Sequence, residues 1–140
     1  MTQVLRPLFD AYVRAVWDKD VEALLAVYAP DVQAFDMWSD WLRDGKPAVR
    51  GAVEGWFGGL GSDRVRVVFE VIRAGEAGAL AYAEAFVRFA AVGPDGAELR
   101  AMDNRLTWVA ELRPEGWLVV HEHTSAPLDE AASAKFSRAG

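Results

Sequence analysis

The chain predicts an α+β fold, with helices first and an antiparallel sheet after them. Three observations carry this. Apolar residues recur at helical spacing near the N-terminus, as in Leu5, Leu8, Phe9, Tyr12, Val13, Val16 and Trp17. From Arg64 onward the period drops to two, with Val65, Val67, Phe69 and Val71 alternating against Arg64, Arg66 and Glu70. The turn signals Gly93-Pro-Asp-Gly96 and Arg113-Pro-Glu-Gly116 then separate long strand-like runs, as hairpins require.

The elements follow in order. A first helix spans 3–17, and Asp18 and Asp20 offer N-caps for a second over 21–28, with Leu24, Leu25, Val27 and Tyr28 apolar. Pro30 ends it, because proline donates no amide and restricts the residue before it. A short extended piece over 32–36 leads into the aromatic loop Met37-Trp-Ser-Asp-Trp-Leu42. Gly45 and Lys46-Pro47 fit the start of a third helix that runs to about Phe57 and ends in Gly58-Gly-Leu-Gly61. Four long strands follow. The second, over 80–92, sets Leu80, Tyr82, Glu84, Phe86 and Arg88 on one face and mostly alanines on the other. Residues 1–127 read as one domain, and 128–140, without a periodic apolar pattern, as a loose tail.

Composition narrows the function classes. A 52% hydrophobic content with 11% aromatic residues suffices for a core. A net charge of −6 with scattered Lys and Arg argues against nucleic acid, which needs a basic patch. No long uncharged apolar run or secretory leader is present, so a soluble cytoplasmic protein is expected. The absence of cysteine removes disulfides and thiolate chemistry. There is no P-loop, dinucleotide fingerprint or Gly-x-Ser-x-Gly elbow, which leaves cofactor-free chemistry or simple binding.

The last two strands place the expected site. Strict alternation puts Asp103, Arg105 and Thr107 on one face of the first, and Trp117, Val119, His121, His123 and Ser125 on one face of the second. Ionisable groups inside an apolar strand pattern point to a lined cavity. The run Val120-His-Glu-His-Thr-Ser-Ala-Pro127, with Trp117 and Arg105 before it, resembles the ending of the calmodulin-dependent kinase association domain and its SnoaL-like relatives. The element order over about 3–127 is similar to the wider superfamily of nuclear transport factor two, ketosteroid isomerase and the SnoaL-like cyclases. That resemblance implies a curved sheet closed by three helices into a cone, a cavity inside it, and a homodimer through the outer sheet face.

The same resemblance supplies roles. Tyr12, Asp36 and Asp103 follow the order of the ketosteroid isomerase site, with a tyrosine on helix one, an aspartate 24 residues later and an aspartate on a late strand. It implies Asp36 as general base, with Tyr12 and a protonated Asp103 as oxyanion donors. The competing reading makes Tyr12 a packing residue and the aspartates turn caps. Arg105 departs from the isomerase pattern, because a guanidinium beside Asp103 favours the ionised form, which donates no hydrogen bond. Arg105 itself suits an organic acid ligand, or else an internal pair with Asp103, Glu84 or Glu122.

His121 and His123 would need a third ligand, such as Asp36 or Asp103, to hold a metal, so polar strand residues of the site are the simpler expectation and no metal is assigned. Trp38, Trp41 and Trp56 are expected to stack on a flat apolar ligand or to form a small second core. Two functions emerge. One is a binding protein for a small apolar or acidic organic molecule, anchored by Arg105, that acts as a cofactor-independent isomerase, cyclase or dehydratase through Asp36. The other is a non-catalytic association module that assembles through outer residues such as Phe89, Trp108 or Leu118.

Overall fold

The first helix, α1 (Arg6–Asp18), buries Phe9, Tyr12, Ala15 and Val16 on one stripe, as its spacing requires. The computed structural model describes residues 3–133 and 136. Lys19 ends α1 in the left-handed conformation (φ 53°), and its ammonium donates to the carbonyls of Gly61 and Asp63 at 2.7 and 3.0 Å. Asp20 caps α2 (Val21–Leu25) by accepting from the Ala23 amide at 3.0 Å.

Here the chain departs from its helical pattern. α2 stops at Leu25, and β1 (Tyr28–Phe35) begins three residues later with Pro30 inside it. The cause is tertiary. Tyr28 pairs with Val119 of the last strand, and the Val119 amide donates to the Val27 carbonyl at 2.9 Å. Tyr28, Ala29, Val32 and Ala34 are buried by that pairing. Pro30 lies in the irregularity between the Tyr28 and Gln33 pairings, where no ladder bond is asked of it. The aromatic loop ends in β2 (Arg43–Asp44), a two-residue strand paired with Gln33 and Ala34 that periodicity gave no sign of. Gly45 (φ 87°) then turns the chain into α3 (Lys46–Gly58), as expected.

Strands β3 (Arg64–Ala77), β4 (Leu80–Val92), β5 (Glu98–Arg113) and β6 (Gly116–Ser125) complete a six-stranded curved sheet of order β2-β1-β6-β5-β4-β3. Only the β1–β6 pair among these ladders is parallel. Its inner face carries the core. Trp108 of β5 is fully buried, stacked on Phe9 of α1 at 4.6 Å between centroids, with Phe69 of β3 at 5.8 Å. The alanines of β4 make room for it, since Ala83 pairs directly with Trp108. Burial of each such large apolar side chain contributes on the order of 1.5–3 kcal/mol.

A register shift decides the faces of β6. Val109 pairs with His121 but Ala110 pairs with Val119, so Val120 is an extra residue. Trp117 and Val119 therefore stay on the inner side, whereas His121, His123 and Ser125 turn outward and Glu122 and Thr124 turn inward. The single face expected for Trp117 through Ser125 is thus split in two. Trp108 and Phe89 also point inward, and of the three outer-face candidates only Leu118, opposite Glu111, remains outside. Val68, Ile72, Leu80 and Tyr82 form the exposed apolar part of the outer face.

Part of the expected tail is held. Asp129 accepts from the amides of Ala131 and Ser133, both at 3.0 Å, and the Phe136 carbonyl accepts from the Asp103 amide at 2.7 Å. Residues 1, 2, 134, 135 and 137–140 lie outside the described residues.

Candidate functional site

Between the helices and the inner sheet face lies a cavity of about 620 Å³. Its walls are apolar: Leu24, Val49, Val53 and Trp56 from the helices, Phe89 and Met102 from the sheet. Trp56 meets Phe89 edge to face at 5.8 Å, which joins α3 to β4. Its mouth carries Trp38 and Phe136, stacked at 5.2 Å with 15° between their planes.

Polar groups gather at one end. Asp36, just past β1, accepts from the Trp38 amide at 3.0 Å through Oδ1. Its Oδ2 lies 3.6 Å from Arg43 Nε, an ion pair too long for a hydrogen bond. Arg43 also sits 3.6 Å from Asp40 and donates to the Trp38 carbonyl at 3.4 Å, so β2 ties the loop to the cavity through this one side chain. Its Nε is buried without a hydrogen-bond partner.

Glu122 enters from β6. Its Oε1 accepts from both the Tyr28 hydroxyl at 2.7 Å and the Trp108 indole at 2.9 Å. Burial raises its carboxyl above the ordinary value, and Asp36 adds to this. The two hydrogen bonds and Arg43 pull the other way without reversing it. Tyr12 and Tyr28 are both raised well above the usual phenol range, first by burial and next by the charge of Glu122. Asn104 completes the polar end. Its amide nitrogen reaches Met37 Sδ at 3.7 Å, and its Oδ1 is buried without a partner. Thr124 accepts from the Met37 amide at 3.1 Å, which pins the loop to β6.

The expected site residues divide cleanly. Tyr12, Asp36, Trp38 and Trp56 line this cavity. Trp41 does not; it is 97% exposed at the loop tip. Asp103 is buried but on the far side of β5, opposite Arg88, whose Nη1 is 3.6 Å away. Arg105 is exposed there too, donating to Ser125 Oγ at 3.0 Å and anchoring nothing in the cavity. His121 and His123 both contact Phe35 edge-on, at 4.9 and 5.4 Å, outside the cone. The physical reason is the same for all four: strand alternation points their side chains away from the helices.

The cavity instead receives Asn104, Glu122, Tyr28 and Arg43. Alternation alone would have offered Asn104 once Trp108 was recognised as core, because the two share a strand face. Glu122 was hidden between two histidines, and only the Val120 shift and the Trp108 pairing turn it inward. Among the described residues no group of three or more His, Cys, Asp or Glu side chains is placed to hold a metal. No helix among them is long and apolar enough to cross a membrane.

Comparison with known proteins agrees with this architecture. An NTF2-like protein of unknown function from Pseudomonas putida is 32% identical, with a TM-score of 0.77 over 95% of this chain and 92% of that one. A putative calcium/calmodulin-dependent protein kinase II association domain from Xanthomonas campestris is 20% identical, with a TM-score of 0.72 over 88% and 85% of the two chains. A ketosteroid isomerase-like protein from Erwinia carotovora atroseptica is 15% identical, with a TM-score of 0.69 over 87% and 92%; these last two likenesses show the fold alone. No curated protein matches. Residues 5–129 match the SnoaL-like domain model, nearly the whole of the folded chain, and with the cone built from three helices and a curved sheet they make this protein a member of the SnoaL-like domain family.

Proposed function

We propose that the cavity binds a small, largely apolar organic molecule bearing a polar group and carries out cofactor-independent proton transfer on it. The observation behind this is that two carboxyl groups, Asp36 and Glu122, and the hydroxyl-bearing Tyr12 line one largely apolar chamber, whose other charged lining residues are Arg43 and Arg100. The base-catalysed forms of isomerisation, cyclisation and dehydration each begin with removal of a proton from carbon. Asp36 is the base in this reading: it lines the cavity, is partly exposed, and faces the Arg43 guanidinium at 3.6 Å. Tyr12, kept neutral by burial, is a hydrogen-bond donor for the oxygen on which charge develops. Trp38, Trp56 and Phe89 supply flat apolar surface for the body of the ligand.

The test is a thermal-shift comparison with a matched pair of flat probes, naphthoic acid and acetylnaphthalene. At a ligand concentration of about 100 times Kd, binding adds about 2.7 kcal/mol, a shift of several degrees. Stabilisation by either probe, lost when Trp56 is replaced by Asp, supports the binding reading; no response to either tells against it.

The outer sheet face supports a second function in parallel. Val68 and Ile72 on β3 and Leu80 and Tyr82 on β4 leave large apolar side chains exposed on this face. We assign this face to a homodimer contact. Assembly without chemistry is the alternative role of the chain, and an inert, unoccupied cavity would favour it.

A further inference from the structure

The cavity holds a carboxyl group whose hydrogen-bonding is one-sided. Both donors that reach Glu122, from Tyr28 on β1 and Trp108 on β5, go to Oε1. Among the described residues Oε2 has no donor, although Glu122 lines the cavity. An ionised carboxylate with one oxygen turned to a largely apolar chamber carries a desolvation cost that a neutral carboxyl avoids. A protonated carboxyl is different: its carbonyl oxygen accepts two bonds and its hydroxyl oxygen has a hydrogen left to give.

We propose that Glu122 is the proton-bearing group of the cavity, and that its Oε2 hydroxyl presents a hydrogen to a neutral oxygen of the ligand. This rests on the reading of the cavity as a binding and proton-transfer site, and it narrows the ligand class. Tyr28 and Trp108 are positioning residues, holding Oε1 so that Oε2 faces the open space.

The surrounding charges agree. The groups packed about Glu122 are Tyr12 on α1, Tyr28 on β1, Asp36 after it, Arg43 on β2 and Trp108 on β5. Arg43 is the one cation among them, and it lies between Asp36 and Asp40, each 3.6 Å away. Its charge is therefore already answered by carboxylates of the protein. An organic anion entering this end would meet Asp36 and a second carboxyl with no uncommitted cation beside them. A ketone, alcohol or ether oxygen meets a donor and no like charge. The ligand group at this end is therefore a neutral oxygen rather than a carboxylate, and Glu122 makes that choice; the other cation of the lining, Arg100, is not part of this cluster.

The direct test is infrared difference spectroscopy on the ligand-free protein, wild type minus Glu122→Gln, at about pH 6, where ordinary glutamates are ionised. A protonated-carboxyl C=O band in the wild type that vanishes in the variant is the expected result. Tyr28→Phe, which removes one bond to the carbonyl oxygen, should move that band to higher wavenumber and serves if Glu122→Gln does not fold. The probe pair gives the second arm. Acetylnaphthalene should stabilise the wild type and Glu122→Gln alike, because the amide still donates, and should lose at least tenfold in affinity in Glu122→Leu. Naphthoic acid should bind at least tenfold more weakly than the ketone. Absence of the band, or equal binding of acid and ketone, overturns the role of Glu122 and leaves the binding reading standing. No response to either probe overturns the binding reading and the ligand preference with it.

Discussion

Trp108 and Glu122 stand directly opposite each other on β5 and β6, and the indole N–H donates to Glu122 Oε1 at 2.9 Å. One residue is the centre of the core and the other the polar end of the cavity, so packing and site share a single contact. Trp108→Phe keeps the stacked ring beside Phe9 but withdraws the donor. Leaving a buried polar group short of a partner costs about 1–3 kcal/mol. The expected outcome is a lower urea midpoint with an unchanged slope. Because this bond holds the Glu122 carboxyl down, its loss should also raise the pH at which that group releases its proton, read from its infrared band.

The raised carboxyl of Glu122 makes stability pH-dependent. In the unfolded chain it titrates near 4.5, and in the folded protein higher. Between those two values the native state holds the extra proton, so stability falls as pH rises through the window. Glu122→Gln should flatten that part of the curve of unfolding free energy against pH. Tyr12 and Tyr28 act in the same direction at the alkaline end. Their phenols are raised above 10.0, so the stabilisation they represent is complete below that pH and is lost above it.

Asp36 is separable from the fold. It is a partly exposed residue at a strand end, bonded to the Trp38 amide and facing Arg43. Asp36→Asn preserves its shape and should leave the melting temperature within a few degrees and ketone binding within a few fold. Proton exchange at carbon in a bound ketone, followed by deuterium incorporation, should drop by at least 100-fold, in line with the usual contribution of a general base. Unchanged exchange would remove Asp36 from the mechanism.

Phe136 and Trp38 close the mouth as a stacked pair. The backbone bond from Asp103 to the Phe136 carbonyl holds that ring in place. Phe136→Ala should leave the closed cavity polar groups untouched but open the entrance. Dissociation of acetylnaphthalene, measured by stopped flow, is expected to speed up more than association.

Ile72 on the outer face is more than half exposed and is not among the residues that line the cavity. Ile72→Glu places a charge in the proposed homodimer contact. Sedimentation should show a shift to monomer, with no change in probe binding.

Helical and strand periods are local properties, so the class of fold was legible in the chain alone. The stripe of α1, the Asp20 cap, the Pro47 helix start and the four long strands all follow from residues within a turn or two of each other. The chain also placed Tyr12, Asp36, Trp38 and Trp56 at the cavity, since their elements carry them there whatever the exact register.

Which side of each strand faces in depends instead on long-range pairing. Asp103 and Asn104 are neighbours, and the face that holds Trp108 holds Asn104, leaving Asp103 against Arg88. A single extra residue, Val120, then reverses the alternation along β6, so that the histidines point out and Glu122 points in. Val27 and Tyr28 likewise gave up a helical pattern to pair with β6. Register is fixed by contacts between strands remote in sequence, and a shift of one residue exchanges the two faces entirely.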